Sequence, residues 1–167
     1  MTDNTRYWIW FVMALRPGNE RIWQMISPFE NVKAAYEAVC NGTHPSLSSA
    51  EMRAVKTTHI EQCDSIIEYC GKKGFYILTF EDNNYPSMLR NIYNPPAVLF
   101  CMGDIKSFNM FPALSCVGTR NPSAYSLEVT ETICSELARR EFTIVSGFAL
   151  GLDLSLIHIS EPTRHAQ

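Results

Sequence analysis

The amino-acid sequence predicts an α/β protein in which a small all-α domain precedes a parallel β-sheet covered by helices. Apolar residues recur at helical spacing through residues 1–74. From residue 75 onward, short apolar segments alternate with helical segments, which is the order of parallel strand–helix–strand units. With 46% hydrophobic and 19% charged residues among 167, the composition is that of a globular protein with a substantial core.

The first 74 residues predict five helices separated by loops. Trp8, Phe11 and Leu15 share one face of the first helix. Ser48 and Glu51 have the spacing of a capping box, which opens the fourth helix. Apolar spacing predicts the other helices over 22–26, 32–40 and 60–70. Such short helices are compatible with a SAM-like or helix-hairpin-helix bundle, which either holds DNA backbone or serves only in packing and protein contacts.

The remaining sequence predicts four strands and two helices. The β-rich segments lie at 75–80, 97–102, 113–117 and 142–145. A short helix is predicted over 86–92 and a long one over 123–140, with Arg139 and Arg140 in its last turn, as the helix dipole favours. Continuous apolar strands joined by a helix predict a parallel βαβ unit.

The loop between the third predicted strand and the long helix is suited to an anion. Gly118 allows a sharp turn, and the first amides of a helix carry partial positive charge. Thr119 and Ser123 offer hydroxyl groups, and Arg120 offers a planar fork that matches phosphate. The same residues are also explained if Ser123 only caps the helix and Arg120 is a solvated surface residue.

A second glycine-containing loop follows the fourth predicted strand. Ser146, Gly147 and Gly151 lie in it, and both loops open at the carboxyl ends of parallel strands, where open α/β sheets bind ligands. Asp153 is either a ligand contact or an acid that caps or begins a helix. Tyr125 and Phe148 flank the loops and either stack on nucleic-acid bases or pack in the core.

Several function classes lack support in the sequence. No catalytic constellation and no metal-ligand spacing is present, so we expect no catalytic residue and no metal site. The six cysteines predict buried free thiols. No segment has the length of a membrane helix, and the N-terminus has no signal pattern, so we expect a cytoplasmic protein without membrane contact. The net charge of −3 predicts a local phosphate pocket, not a broad basic face.

The last residues are expected not to be native. Residues 154–164 resemble the in-frame translation of a transposase-based sequencing-library adapter, and a scar of this kind is excluded from fold reasoning. On this interpretation the natural sequence is cut at Asp153. The alternative is a natural tail that matches by chance.

A series of short motifs occurs in order over residues 75–153. The motifs are Tyr85-Pro86-Ser87-Met88-Leu89-Arg90, Pro95-Pro96-Ala97-Val98-Leu99-Phe100, Gly103-Asp104, Cys116-Val117-Gly118-Thr119-Arg120, Tyr125, and Val145-Ser146-Gly147 with Gly151 and Asp153. This series resembles the DNA-processing protein A family, DprA, also called Smf. The resemblance implies a SAM-like domain over 1–74 and the N-terminal part of a truncated Rossmann-like domain over 75–153. Residues 154–167, which are assigned to the adapter, follow as a non-native segment.

The resemblance also implies a function. Members of the family bind single-stranded DNA, protect incoming strands and load the RecA recombinase during natural transformation. They act as binding proteins, not as enzymes, need no cofactor, and form a homodimer when intact. The positions that resemble the family's phosphate-binding loop are Gly118, Thr119, Arg120 and Ser123, and those that resemble its second glycine motif are Ser146, Gly147, Gly151 and Asp153.

Two positions depart from the family's pattern. Ser126 stands where the family usually has glycine, and Leu150 stands where many members have arginine. The second departure removes a possible phosphate contact. The alternative function is a nucleotide-binding enzyme on a related Rossmann-like scaffold, similar to a nucleotide phosphoribohydrolase. That chemistry needs an acid placed for glycosidic-bond cleavage, and no candidate is evident before Asp153.

Overall fold

Helices occupy the first part of the chain and two short β-sheets follow, in a computed structural model that describes residues 4–44, 47–105 and 109–156. The chain divides into two units, Met1–Phe108 and Asn109–Gln167. This arrangement confirms the predicted α/β class with a helical N-terminal part and a small parallel sheet. Of the tail assigned to an adapter, residues 157–167 lie outside the described residues, and that assignment stays a prediction.

The first unit contains six helices and two strands among its described residues. They are α1 (Thr5–Leu15), α2 (Arg21–Ile26), α3 (Val32–Cys40), α4 (Ser49–Thr57), α5 (Ile60–Lys73), β1 (Tyr76–Thr79), α6 (Ser87–Arg90) and β2 (Val98–Cys101). The five helices predicted before residue 74 are confirmed. So is the capping box, since the Glu51 amide donates to Ser48 Oγ and the Ser48 amide donates to Glu51 Oε2.

One hydrophobic core joins the helices to the first sheet. Trp8, Phe11 and Met25 are fully buried in it, and Ile77 of β1 and Ala97, beside β2, belong to the same cluster. From the first sheet and its flanks, Phe75, Ile77, Phe80, Ala97 and Val98 pack in the helical core, and the division between the units lies between residues 108 and 109. The domain boundary predicted after residue 74 stays a prediction.

The first sheet differs from the sequence-based expectation of parallel strands. β1 and β2 are an antiparallel pair, with Tyr76 opposite Cys101 and Thr79 opposite Val98, and they form a sheet of their own. The helix between them, α6, is a single turn, and the Phe80 amide donates to the Ala97 carbonyl. β2 therefore begins beside the C-terminal end of β1 and runs in the opposite direction, as in an antiparallel pair.

Residues of the first family-like motif hold the connection between β1 and β2. The Asp82 carboxylate accepts hydrogen bonds from the amide and the hydroxyl of Thr79, and Arg90 donates to the Asp82 carbonyl. The hydroxyl of Tyr85, which is buried, donates to the carbonyl of Pro96 at 2.7 Å. The Arg90 guanidinium also lies over the ring of Tyr85. In this structure these residues shape the fold of the first unit.

The second unit is a parallel βαβ unit followed by a short helix. Its elements are β3 (Ala113–Ser115), α7 (Ala124–Arg139), β4 (Thr143–Val145) and α8 (Leu152–Ser155). β3 and β4 pair in parallel, with Ala113 opposite Thr143 and Ser115 opposite Val145. The predicted strand–helix–strand order is confirmed for this segment.

The cysteines are free thiols, but the prediction that they are buried is correct for only three of them. Cys63, Cys70 and Cys134 are buried, whereas Cys40 is exposed and Cys101 and Cys116 are half-buried. Within the described ranges no helix has the length and hydrophobicity to cross a membrane. The same residues contain no group of three or more metal-ligating side chains that could hold an ion.

An ion pair links the capping box of α4 to α2, and it makes stability depend on pH. Arg21 Nε donates to Glu51 Oε1 at 2.8 Å, and this contact, against a smaller opposing effect of burial, lowers the pKa of Glu51 from 4.5 to about 2. A carboxyl group whose pKa is lower in the folded state stabilises the fold above its unfolded pKa. That stabilisation is lost as the pH falls through the folded pKa.

We expect Glu51→Gln to lower the free energy of unfolding by about 1–2 kcal/mol at pH 7, because the ion pair is partly shielded from solvent. The difference should shrink as the pH falls from 4.5 to 2. Urea unfolding followed by circular dichroism measures it. Glu37→Gln, whose ion pair with Lys33 is exposed, is the matched control. If the wild type and Glu51→Gln differ in free energy of unfolding by the same amount over this pH range, the lowered pKa of Glu51 is contradicted.

Candidate functional site

Two loops leave the same edge of the parallel sheet. The first follows β3 and contains Gly118, Thr119 and Arg120, and the second follows β4 and contains Ser146 and Gly147. Because β3 and β4 pair in parallel, their carboxyl ends lie side by side. The structure thus brings together the two loops that the sequence singled out.

A single buried carboxylate joins the two loops. The Gly118 amide donates to Asp153 Oδ1 at 3.1 Å, and the Gly147 amide donates to Asp153 Oδ2 at 3.1 Å. Asp153 is only 4% exposed, in the first turn of α8. Hydrogen bonds to an ionised acceptor are stronger than those between neutral groups, so they offset the cost of burying the charge. Asp153 is therefore a link within the protein, a role that sequence reasoning missed.

The glycines allow the two loops to approach each other closely. Gly151 has a φ of +103°, and a Cβ there would lie 2.5 Å from the carbonyl oxygens of Thr119 and Arg120. A Cβ on Gly118 would lie 2.8 Å from the side chain of Leu152. The Leu152 amide in turn donates to the Thr119 carbonyl at 3.2 Å. Residues 118–120 and 151–152 therefore pack backbone to backbone, which only glycine permits at these distances.

Ser123 caps the N-terminus of α7. Its Oγ accepts from the Ser126 amide at 3.2 Å, and the Ser126 hydroxyl donates to the Ser123 carbonyl at 2.8 Å. The predicted role of Ser123 as the cap of this helix is therefore observed. Ser126 contributes its side chain to this cap. In the preceding loop, Thr119 Oγ1 accepts from the Asn121 amide at 3.2 Å.

Arg120 is the free cation of the first loop. It is exposed, and its guanidinium makes no ion pair or hydrogen bond with any residue that the structure describes. Its backbone is nevertheless fixed, because its carbonyl lies directly against Gly151. A guanidinium in this position offers several donors to an anion arriving from solvent.

Tyr125 and Phe148 both project into solvent beside the loops. Tyr125 is 75% exposed and Phe148 is 68% exposed, so neither packs in the core of the second unit. Phe148 has a φ of +55°, a conformation that is uncommon for a bulky residue. Packing does not explain an exposed aromatic residue whose backbone is strained.

A thiol pair lies beside the first loop, at the end of β3. Burial, and after it a hydrogen bond with Cys116, raises the pKa of Cys134 to about 11. The Cys134 thiol therefore stays protonated at neutral pH. A protonated thiol is a poor nucleophile, so this pair gives no reason to assign covalent catalysis.

Comparison with known proteins gives one consistent result. A family model described as DNA recombination-mediator protein A matches residues 76–161. The DNA processing protein DprA of Bacillus subtilis is 39% identical over 82 residues, which are 49% of this chain and 28% of that protein. Protein Smf of Synechocystis is 38% identical over 85 residues, which are 49% of this chain and 21% of that protein.

A solved structure has a similar fold. The X-ray structure of DNA processing protein A (DprA) from Streptococcus pneumoniae aligns with a TM-score of 0.59 at 22% identity, over 96% of this chain and 55% of that chain. At this identity the similarity concerns the fold alone. The aligned part of this chain spans about a quarter of the length of the two curated relatives.

We expect Gly151→Ala to disrupt the contact between the two loops. The new Cβ overlaps two carbonyl oxygens at 2.5 Å and sits at a positive φ, so the cost should exceed the roughly 1–3 kcal/mol of a strained backbone position. Hydrogen exchange at Gly118 and Gly147 measures the loss of loop protection.

The matched control is Gly71→Ala, because a Cβ at that position in α5 meets nothing within 4 Å. Replacing glycine by alanine there should stabilise the helix by about 0.4–1 kcal/mol. Equal and small effects of the two substitutions would show that the close approach at Gly151 does not constrain the loops.

Proposed function

The chain belongs to the DNA recombination-mediator protein A family, and from this premise we propose that it binds single-stranded DNA at the two loops that follow β3 and β4. The observation that carries the proposal is Arg120, whose exposed guanidinium has no partner among the residues that the structure describes, on a loop whose backbone is held in place. A planar cation of this kind matches the geometry of a phosphate group. The name of the Bacillus subtilis relative, which refers to DNA processing, supports a DNA ligand.

The proposed phosphate contacts are side chains. Arg120 supplies the charge, and the Thr119 hydroxyl, which already accepts from the Asn121 amide, keeps its own proton to donate to a second oxygen. Ser123 and Ser146 lie at the rim of the same region, although their hydroxyls also bond within the protein. We assign Gly118, Gly147 and Gly151 the role of bringing the loop backbones close together.

The exposed aromatic residues provide the second element of the proposed site. Single-stranded DNA leaves its bases open, and an aromatic face can stack on any base without regard to sequence. Tyr125 follows the first loop at the start of α7, and Phe148 follows Gly147 in the second. The strained backbone of Phe148 supports this role, because residues held in rare conformations are concentrated at binding sites.

The net charge of the chain favours a few local phosphate contacts, not an extended basic surface. The net charge of the chain is −3, and Leu150 offers no cation in the second loop. Because salt dependence follows the number of phosphates neutralised, we expect weak salt dependence of binding. Duplex DNA hides the base faces, so the aromatic contacts favour single strands.

The cellular role follows from the family. We propose that the intact protein protects incoming single strands and loads the RecA recombinase in natural transformation, as a cytoplasmic homodimer that is not an enzyme. The family membership supports a recombination-mediator role. The partner RecA and the homodimer are proposals that rest on it.

Replacing Arg120 tests the assigned site. We expect Arg120→Ala to weaken binding of a short oligothymidylate by about 1–3 kcal/mol, which is roughly 5-fold to 150-fold in Kd, since a charge-assisted hydrogen bond is lost. Fluorescence anisotropy in low salt measures Kd. Arg53→Ala, which removes the same charge from α4, should have little effect.

An unchanged Kd for Arg120→Ala would contradict the site, whereas an equal loss in both arginine variants would indicate nonspecific attraction. Incubation with nucleoside monophosphates tests the alternative function in the same preparation. Release of free base would favour a phosphoribohydrolase over a DNA-binding protein.

The aromatic residues give a separate prediction. We expect Phe148→Ala and Tyr125→Ala each to weaken oligonucleotide binding by about 1–3 kcal/mol, because each removes a stacking surface for one base. Phe148→Tyr keeps the ring and should bind like the wild type. Tyr93→Ala is the control, since Tyr93 is a highly exposed aromatic residue of the first unit. Equal affinity of Phe148→Ala, Tyr125→Ala and the control would rule out stacking at these positions.

A further inference from the structure

We propose that Asp153 is the positioning residue of the DNA site: its carboxylate occupies the anion position between the two loops and holds Arg120 in place. This inference rests on the proposed function and assigns the arrangement of the phosphate contacts. The phosphate then binds to the side chains outside the carboxylate, not to the glycine amides of the loops.

The hydrogen bonds of Asp153 show that the carboxylate fills a preformed anion position. Its two oxygens each accept one backbone amide, from Gly118 at 3.1 Å and from Gly147 at 3.1 Å. These amides belong to loops that follow different strands, and Gly118 is 35 residues away in sequence. Two converging amides at the ends of parallel strands are the donors that a phosphate would otherwise use. In this chain they are already paired.

The occupied amides determine where a phosphate can bind. A second anion at Gly118 and Gly147 would have to displace Asp153, which is buried, and would otherwise meet its negative charge. The nearest cation of the first loop is Arg120, which is exposed and unpaired among the described residues. A phosphate that binds through the Arg120 side chain avoids this cost.

The backbone connects Asp153 to Arg120. Leu152, which precedes Asp153, donates its amide to the Thr119 carbonyl at 3.2 Å, and Gly151 lies directly beneath the carbonyls of Thr119 and Arg120. Together with the Gly118–Asp153 bond, these contacts attach residues 118–120 to the start of α8. Loss of the carboxylate frees the first loop at Gly118 and the second at Gly147 at the same time.

Electrostatics and positioning make opposite predictions for the removal of Asp153. Deleting a negative charge near a DNA site should by itself strengthen binding of a polyanion. If Asp153 holds Arg120 in place, its removal should weaken binding instead. The sign of the change therefore separates the two effects.

The test measures oligothymidylate Kd for the wild type, Asp153→Asn, Asp153→Ala and Glu131→Ala in the full 167-residue chain. Glu131 is an exposed acid of α7, so its variant has the same charge change as Asp153→Ala without the loop contacts. We expect both Asp153 variants to weaken binding by roughly 10-fold to 100-fold, by analogy with residues that orient the ligands of a metal ion. Glu131→Ala should bind equally or more tightly.

Two further measurements exclude a merely structural role. Hydrogen exchange should show loss of protection at Gly118 and Gly147 in the Asp153 variants, while α7 stays protected. Arg120→Ala should cost much less in the Asp153→Ala background than in the wild type, because a displaced arginine contributes little.

Each result bears on the proposal. Unchanged or tighter binding by Asp153→Asn, additive effects of Arg120→Ala and Asp153→Ala, or unprotected Gly118 and Gly147 amides in the wild type would overturn it. Hydrogen exchange in the wild type tests the two hydrogen bonds of Asp153 even if both Asp153 variants unfold. Failure of the wild type to bind oligothymidylate would instead remove the proposed function, while the exchange data would still test the carboxylate link.

Discussion

The second unit depends on one buried carboxylate, which holds together two loops that are far apart in the sequence. Asp153 accepts the amides of Gly118 and Gly147, one on each oxygen. Because the carboxylate is removed from solvent, both bonds are needed to offset its desolvation. The glycines meet the remaining requirement, since the backbones approach so closely at Gly151 that no side chain fits. The location of Arg120 follows from this arrangement.

The motifs that the sequence analysis singled out serve two physical purposes. In the first unit, Tyr85 and Arg90 satisfy backbone carbonyls of the connection between β1 and β2. In the second unit, the glycines and Asp153 join the loops, and Arg120 is left free at the surface. The first group lies well before the proposed site. Its residues stabilise the fold and have no assigned contact with DNA.

The proposed mode of DNA binding follows from what is exposed and what is already paired. The glycine amides and the Ser123 cap are engaged within the protein. Of the proposed contacts, those that remain available are the Thr119 hydroxyl, the Arg120 guanidinium and the exposed rings of Tyr125 and Phe148. The guanidinium suits the phosphates of a single strand, and the two flat aromatic rings suit its open bases.

The sequence alone determined the features that depend on local spacing. Helical periodicity located the five N-terminal helices, the Ser48–Glu51 spacing identified a capping box, and the order of strand and helix predicted the parallel pair β3–β4. Only the tertiary structure decided the antiparallel pairing of β1 with β2, the exposure of Phe148 and the double hydrogen bond of Asp153. Those features depend on which distant segments meet, and spacing along the chain carries no information about a contact between residues 35 positions apart.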